Sequence, residues 1–324
     1  MTETVLVLGG AGYIGTALVA RLLRDTKFNV RVLDDLMYGG DSLLPYFNFK
    51  ERFSFIRGDI RKVDPTGLLR GVDYVVNVAA LVGEPICKKF PVEATQINLD
   101  ANIRMAEASE RAGVKQFVFS STCSNYGLSK SDELIDEAGE LQPISLYAET
   151  KVQSEQKLLH DFKKMKVTVL RFATAYGLAS RVRFDLLLHE FIRDAWKKKK
   201  IVVYGAESWR PMVHVDDIAR GIITVLGNNK DGAEVYNVGS NNQNFRKIEL
   251  ANIVAKRLGA EIESLPTIKD PRNYKVSFDK ISKKFGYNTL FDPVIATDQI
   301  AGALETGVID DRILFESVNV KQEG

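Results

Sequence analysis

Within its first fifteen residues the chain runs from a β-branched stretch, Thr4-Val5-Leu6-Val7-Leu8, into Gly9-Gly10-Ala11-Gly12-Tyr13-Ile14-Gly15, and then into an amphipathic pattern. Three glycines at this spacing, read as Gly10/Gly12/Gly15 or as Gly9/Gly12/Gly15, form one tight turn between a strand and a helix. Such a turn lets the backbone approach a pyrophosphate, and the next helix points the positive end of its dipole at it. The expectation is a dinucleotide-binding βαβ unit in a parallel sheet with helices on both faces.

The rest of the first half repeats that alternation. Strands are expected at residues 4–8, 29–34, 53–57, 74–78, 116–120 and 167–172, with a helix at 14–24 and a long alanine-rich helix at 94–112. The fold class is therefore α/β, a doubly wound parallel sheet of Rossmann type over residues 1–176. Beyond that the alternation loosens, with helices at 184–196, 217–226 and 247–258 among short strands such as 201–204. A smaller C-terminal α/β substrate domain is expected over 177–324. Residues 235–238 read as a further strand of the main sheet, so the chain returns to the first domain near 210–240. The run Lys197-Lys198-Lys199-Lys200 reads as a solvated helix end.

The 324 residues are 27% charged and 45% hydrophobic, the usage of a soluble globular protein. Lys and Arg total 44 against 42 Asp and Glu, so no bulk positive field marks a nucleic-acid partner. Cys87 and Cys123 are too few for a disulfide framework or a zinc knuckle. Met1-Thr2-Glu3-Thr4 lacks a basic signal-peptide start, and no apolar run approaches the roughly 18 residues of a membrane span. The expectation is a cytoplasmic protein without membrane, nucleic-acid or metal partners.

Asp34, in Leu33-Asp34-Asp35, stands nineteen positions beyond Gly15, where a carboxylate accepts hydrogen bonds from the adenosine ribose. A charge there repels a 2′-phosphate, favouring NAD over NADP. Asp59, in Gly58-Asp59-Ile60, is placed either to cap the adenine or to cap a helix before Arg61. Tyr147 and Lys151 form Y-x-x-x-K at a helix start, on one face of the helix. An ordinary tyrosine titrates near 10, and making it a base at neutral pH takes about 4 kcal/mol. One positive charge at ~4 Å with an effective dielectric of ~20 supplies about that much before solvation costs, so an ammonium beside the tyrosine and a positive nicotinamide suit the task.

At this point the sequence resembles the extended short-chain dehydrogenase/reductases, in particular the NAD-dependent nucleotide-sugar epimerase and dehydratase group. The resemblance runs through nearly the whole chain. Beyond the glycine turn, with Tyr13 and Ile14 inside it, and Tyr147/Lys151, it rests on Gly58-Asp59-Ile60, Asn77-Val78-Ala79-Ala80, Asn98, Phe119-Ser120-Ser121-Thr122 leading to Tyr126-Gly127, Leu170-Arg171-Phe172 leading to Tyr176-Gly177, and Arg210 before Val213-His214-Val215-Asp216-Asp217. It implies that Thr122 bonds the reacting oxygen, that Tyr147 is the acid/base, and that Lys151 holds the nicotinamide ribose and lowers the tyrosine pKa. Gly9, Gly12, Tyr13, Ile14, Gly15, Asp34, Asp35, Asp59, Ile60, Ala79, Ala80 and Asn98 would then surround NAD.

Departures narrow the reaction. The 4,6-dehydratases of the group carry Asp-Glu after the hydroxyl residue, and the enolising 3,5-epimerases place a cysteine two positions beyond it; here the residues are Cys123 and Ser124. Chemistry at one carbinol remains: a 4-epimerase that oxidises the sugar C4 hydroxyl and returns the hydride, or, as the alternative, a 4-dehydrogenase that stops at the ketone. A 4,6-dehydratase and a non-catalytic NAD-sensing regulator are the remaining, weaker readings. On the substrate side Thr174 and His189 stand where asparagines are usual, Arg210 keeps the place of a phosphate-binding arginine, and Arg272, in Asp270-Pro271-Arg272-Asn273-Tyr274, resembles a nucleotide-binding segment. Ser124 is included in this substrate set. Arg183 and Asp185 either line the same cleft or support it, and His214 reads as a core or capping residue. The substrate is expected to be a nucleotide-diphosphate sugar. A homodimer is expected through residues 94–112 and 147–162, with Ile97, Ala101, Met105 and Ala108 as an apolar stripe next to Leu158, Leu159 and Phe162.

Overall fold

Val5 and Val7 of strand β1 (Thr4–Leu8) enter one hydrophobic cluster while Leu6 and Leu8 enter another. The two-residue period thus places apolar side chains on both faces of the sheet, as a strand covered by helices on both sides requires. The computed structural model describes residues 2–129, 133–228, 232–266 and 272–319. In it β1 is joined by β2 (Asn29–Asp34), β3 (Phe53–Arg57), β4 (Tyr74–Asn77), β5 (Gln116–Thr122), β6 (Lys166–Phe172) and β7 (Ala233–Val238) in one seven-stranded sheet of order β7-β6-β5-β4-β1-β2-β3. Every pairing in it is parallel. The order reverses between β1 and β4, the switch point where such sheets open a crevice at their carboxyl ends.

The longer helices are α1 (Tyr13–Asp25), α2 (Asn102–Arg111), α3 (Leu146–Asp161), α4 (Leu187–Lys198), α5 (Val215–Val225), α6 (Lys247–Leu258) and α7 (Pro293–Glu305). Leu18 and Leu22 of α1 and Ile218 and Ile222 of α5 pack on one face of the sheet. Met105 of α2 and Leu158 of α3 pack on the other. A third cluster draws only on residues from Tyr176 onward, with Leu188, Ile192, Leu250, Val254 and Ile300 at its centre. Around it lie a three-stranded sheet of Thr174–Tyr176, Trp209–His214 and Asn244–Arg246, and a parallel pair of Lys200–Tyr204 and Glu261–Leu265.

Two expectations need correction. The helix expected at 94–112 is an α-helical turn (Pro91–Thr95), a π-helical stretch (Gln96–Ala101) and α2 in succession. The wide turn accompanies two buried asparagines: Asn98 bonds the Leu81 backbone, and Asn102 receives the Asn77 amide at 2.8 Å. The apolar stripe Ile97, Ala101, Met105, Ala108 faces the chain's own core, as do Leu158 and Phe162, so it offers no surface to a second subunit. Among the described residues no helix is long and apolar enough to cross a membrane.

Candidate active site

The glycine turn closes against β4. Gly9 has φ +84°, and a Cβ there would fall 2.7 Å from Ala79 Cα; a Cβ at Gly15 would meet the Gly9 carbonyl oxygen at 2.1 Å, and one at Gly10 would meet Val32. Only glycine fits these positions. Above the turn lies an open cleft whose lining includes Gly9, Gly12, Asp34, Asp35, Asp59, Ile60, Ala79 and Ala80, together with Tyr38 and Ile97. Asp34 receives the Ala11 and Leu36 amides at 2.9 and 2.8 Å, which holds the turn to the end of β2. Burial pushes its carboxyl up, and those two amides oppose the shift. Asp59 combines both of its readings: it lines the cleft, and its carboxylate accepts the Arg61 amide at 2.8 Å and pairs with the Arg61 guanidinium at 2.7 Å, which holds its pKa down.

Other residues expected on the cofactor lie behind the cleft. Tyr13 is buried and donates to the Gly177 carbonyl at 2.7 Å; Gly15 packs beneath the turn; Ile14 is partly buried against the core. Asn98 is buried, with both amide atoms bonded to Leu81, so it shapes the loop after β4 instead of facing a ligand.

Thr122 ends β5, where its Oγ1 caps the turn Cys123–Tyr126 by accepting the Ser124 amide at 3.1 Å. Ser145 caps α3 and so presents Tyr147 and Lys151 from its first turns toward the end of β5. Lys151 Nζ donates to the Ser120 carbonyl at 2.8 Å and lies 5.8 Å from the Tyr147 ring centroid. In the chain alone, burial works against the charged form of both groups. Burial pushes the Tyr147 hydroxyl well above its ordinary value, with Cys87 adding to this and Arg183 and Arg272 pulling against it. Burial also lowers Lys151 to about 7, although the Glu155 carboxylate favours the ammonium. Desolvation is the largest influence on each of these two neighbouring groups.

On the substrate side Arg272 Nη1 donates to Ser124 Oγ at 3.2 Å, and Arg210 Nη1 donates to the Arg272 carbonyl at 2.5 Å, so Ser124, Arg210 and Arg272 converge. Asp270 and Pro271 of that segment lie outside the described residues. Thr174 begins its short strand, partly buried. Arg183 is buried and paired with Asp185 at 2.8 Å. The expected substrate contact of His189 is corrected: the ring is fully buried, Nε2 accepts the Gly177 amide at 2.8 Å, and Nδ1 therefore donates to the Arg183 carbonyl at 2.5 Å. His189 braces the loop that carries Arg183. His214 caps α5 through Nδ1 and stacks on Phe291 with centroids 4.3 Å apart.

The profile of the NAD dependent epimerase/dehydratase family matches residues 5–239. The chain belongs to that family. It is 33% identical over 246 residues to the uncharacterized UDP-glucose epimerase YtcB of Bacillus subtilis (strain 168), covering 72% of this chain and 76% of that one. To a dTDP-glucose 4,6-dehydratase of Actinoplanes sp. it is 30% identical over 317 residues, 92% and 95% of the two chains. Among solved structures, MoeE5 in complex with UDP-glucuronic acid and NAD superimposes with a TM-score of 0.81 at 27% identity, over 94% of this chain and 100% of that one. This family member is accordingly an NAD-dependent enzyme of the extended short-chain dehydrogenase/reductase group.

The sequence reading missed a buried network behind Tyr147 and Lys151. Glu155, one turn beyond Lys151 on α3, pairs with Arg171 of β6 at 2.7 Å and accepts from Ser121 and Asn125; Arg171 donates to Tyr126 Oη at 2.9 Å, and Tyr126 donates to Asn237 of β7 at 2.8 Å. The signal was present: a charged residue within the apolar run of β6, and a carboxylate four positions after Lys151, both demand a buried partner.

Proposed function

We propose that the enzyme is a nucleotide-sugar 4-epimerase with NAD held in the cleft, acting on a UDP-sugar of the kind named for its relatives. The observation that carries the reading is the pairing of Thr122, Tyr147 and Lys151 with a Cys123 unable to act as a dehydratase acid. Cys123 is buried, its thiol contacts the Arg171 carbonyl at 3.3 Å, and burial pushes its pKa well up. When bound, NAD supplies the hydride acceptor and donor. Thr122 Oγ1 holds the C4 oxygen, and Tyr147 takes its proton as the ketone forms and gives it back on reduction. Lys151, whose ammonium the Glu155 carboxylate favours against burial, stands beside the tyrosine. Arg210 and Arg272 fix the diphosphate by planar forks while the sugar end turns over, so binding energy from the non-reacting nucleotide positions the reacting carbon. Thr174 and Arg183 face the sugar in this reading. The alternative, a 4-dehydrogenase, uses the same three residues.

The test is incubation of purified enzyme, without added cofactor, with UDP-glucose or UDP-glucuronic acid in deuterated water. Interconversion at C4 with no solvent deuterium in the sugar is the expected result. Deuterium at C3 or C5 would mean enolisation, and stoichiometric NADH with no C4 epimer would make the enzyme a dehydrogenase.

The proposal includes a cytoplasmic homodimer. Both cysteines are free and buried, which suits a reducing compartment. The subunit contact falls on the outward side of residues 91–111, where Val92 is 63% exposed and Leu99 and Ile103 are half-buried.

A further inference from the structure

Residues 177–181 lead from the third hydrophobic cluster back over the dinucleotide side and are fastened to it at four points. The Gly177 carbonyl accepts from Tyr13 Oη, Ser180 Oγ lies 3.4 Å from Tyr46 Oη, the Arg181 amide donates to Thr16 Oγ1 at 3.4 Å, and the Arg181 guanidinium carbon sits 4.0 Å from the centre of the Tyr38 ring. Tyr13 and Thr16 belong to the first turn of α1, directly after the glycines, and Tyr38 lines the cleft. Arg181 thus stands between the helix end expected to face a pyrophosphate and the wall expected to face the adenosine.

Its charge is poorly matched by the chain. Neighbouring Arg183 has Asp185, whereas the Arg181 side chain donates to the neutral Asn319 Oδ1 at 2.9 Å. Among the described residues no carboxylate forms an ion pair with it. Burial and the like charge of Arg183 lower it to about 10, and Asp34 and Asp185 act on it only from a distance. Beneath it the Tyr38 hydroxyl is buried with no hydrogen-bond partner. A guanidinium partly withdrawn from water without a counter-ion is stabilised when an anion completes it, and its planar fork matches phosphate oxygens.

We propose that Arg181 binds the pyrophosphate of the dinucleotide cofactor, opposite the amides of α1, so that a residue from the substrate-side segment closes the NAD cleft. The inference rests on NAD occupying that cleft. It makes cofactor retention depend on a segment that continues into Arg183, Asp185 and His189.

The test compares wild type, Arg181→Lys and Arg181→Met holoenzyme for the rate at which bound NAD is released, and each protein for its affinity for ADP, adenosine and UDP. Arg181→Met is expected to release NAD about tenfold faster or more and to weaken ADP by a similar factor, the range of a lost charged hydrogen bond, while adenosine and UDP change less than about twofold. Arg181→Lys, which keeps the charge but not the fork, is expected to fall between. Unchanged NAD release in both variants would overturn the proposal. Equal weakening of ADP and adenosine would overturn it too, because the stack on Tyr38 would then be the whole effect. Weakening confined to UDP would move Arg181 to the sugar nucleotide. Failure of wild type itself to bind NAD or ADP would instead refute the cofactor site on which the inference rests.

Discussion

His189 shows how a residue type expected on a ligand is committed to the scaffold. With both ring nitrogens on backbone partners and no exposure, burial lowers its pKa to about 4, so it stays neutral in the folded protein wherever an ordinary histidine would charge. The unfolded chain then binds more protons than the folded one between about pH 6.5 and pH 4, and stability falls as pH falls through that window. The expected loss from this one group between pH 7.5 and 5 is about 2 kcal/mol. Urea unfolding of wild type and His189→Gln at the two pH values checks it: the variant should be less stable at pH 7.5 yet lose about 2 kcal/mol less on acidification. Equal losses would mean that the ring is charged in the fold. The same burial acts at Tyr147 and Lys151, where it opposes the charged form of each.

At the level of elements, the Glu155–Arg171 pair joins α3 to β6, and through Asn125, Tyr126 and Asn237 it reaches the end of β5 and β7. Both side chains are nearly inaccessible, at 1% and 5% exposure, so removing either leaves the other as a buried unpaired charge. Glu155→Leu and Arg171→Met should each cost roughly 3–5 kcal/mol, and the double variant should cost much less than their sum. A double-mutant cycle by chemical denaturation measures this, and additive losses would show that the two charges act independently. The elements themselves were largely legible. Residues 4–8, 29–34 and 53–57 coincide with β1, β2 and β3, because β-branched runs between turn residues leave little alternative. The site was legible where backbone geometry dictates the residue, as at Gly9 and Gly15, and where helical spacing brings Tyr147 and Lys151 together. It was illegible where the outcome depends on which way a side chain turns: Asn98 and His189 turn onto the backbone of nearby loops, and Arg181 docks on Thr16, 165 positions away.

For the whole molecule, the apolar stripe that pointed to a dimer proved to be core, yet the neighbouring outward side keeps Val92, Leu99 and Ile103. The outward side of α3 carries Glu149, Gln153, Gln156 and Lys157, so a contact on this flank combines a narrow apolar strip with a polar rim. Sedimentation should find wild type at twice its chain mass and Leu99→Glu at the single-chain mass with unchanged secondary structure. A strictly monomeric wild type would reject the assembly.

The return of the chain to the main sheet through β7 also sets a timetable for synthesis. β6 gains its outer neighbour only when β7 has been made, about sixty residues later. At roughly 5–20 residues per second, that interval is on the order of 3–12 seconds on the ribosome. Until then the sheet ends in a parallel strand carrying Val167 and Val169 with one row of backbone groups unpaired, the kind of edge that recruits other chains. The newborn polypeptide is therefore most adhesive after α3 has already been made, and at that stage quality control bears on a chain with all but one strand of its main sheet in place.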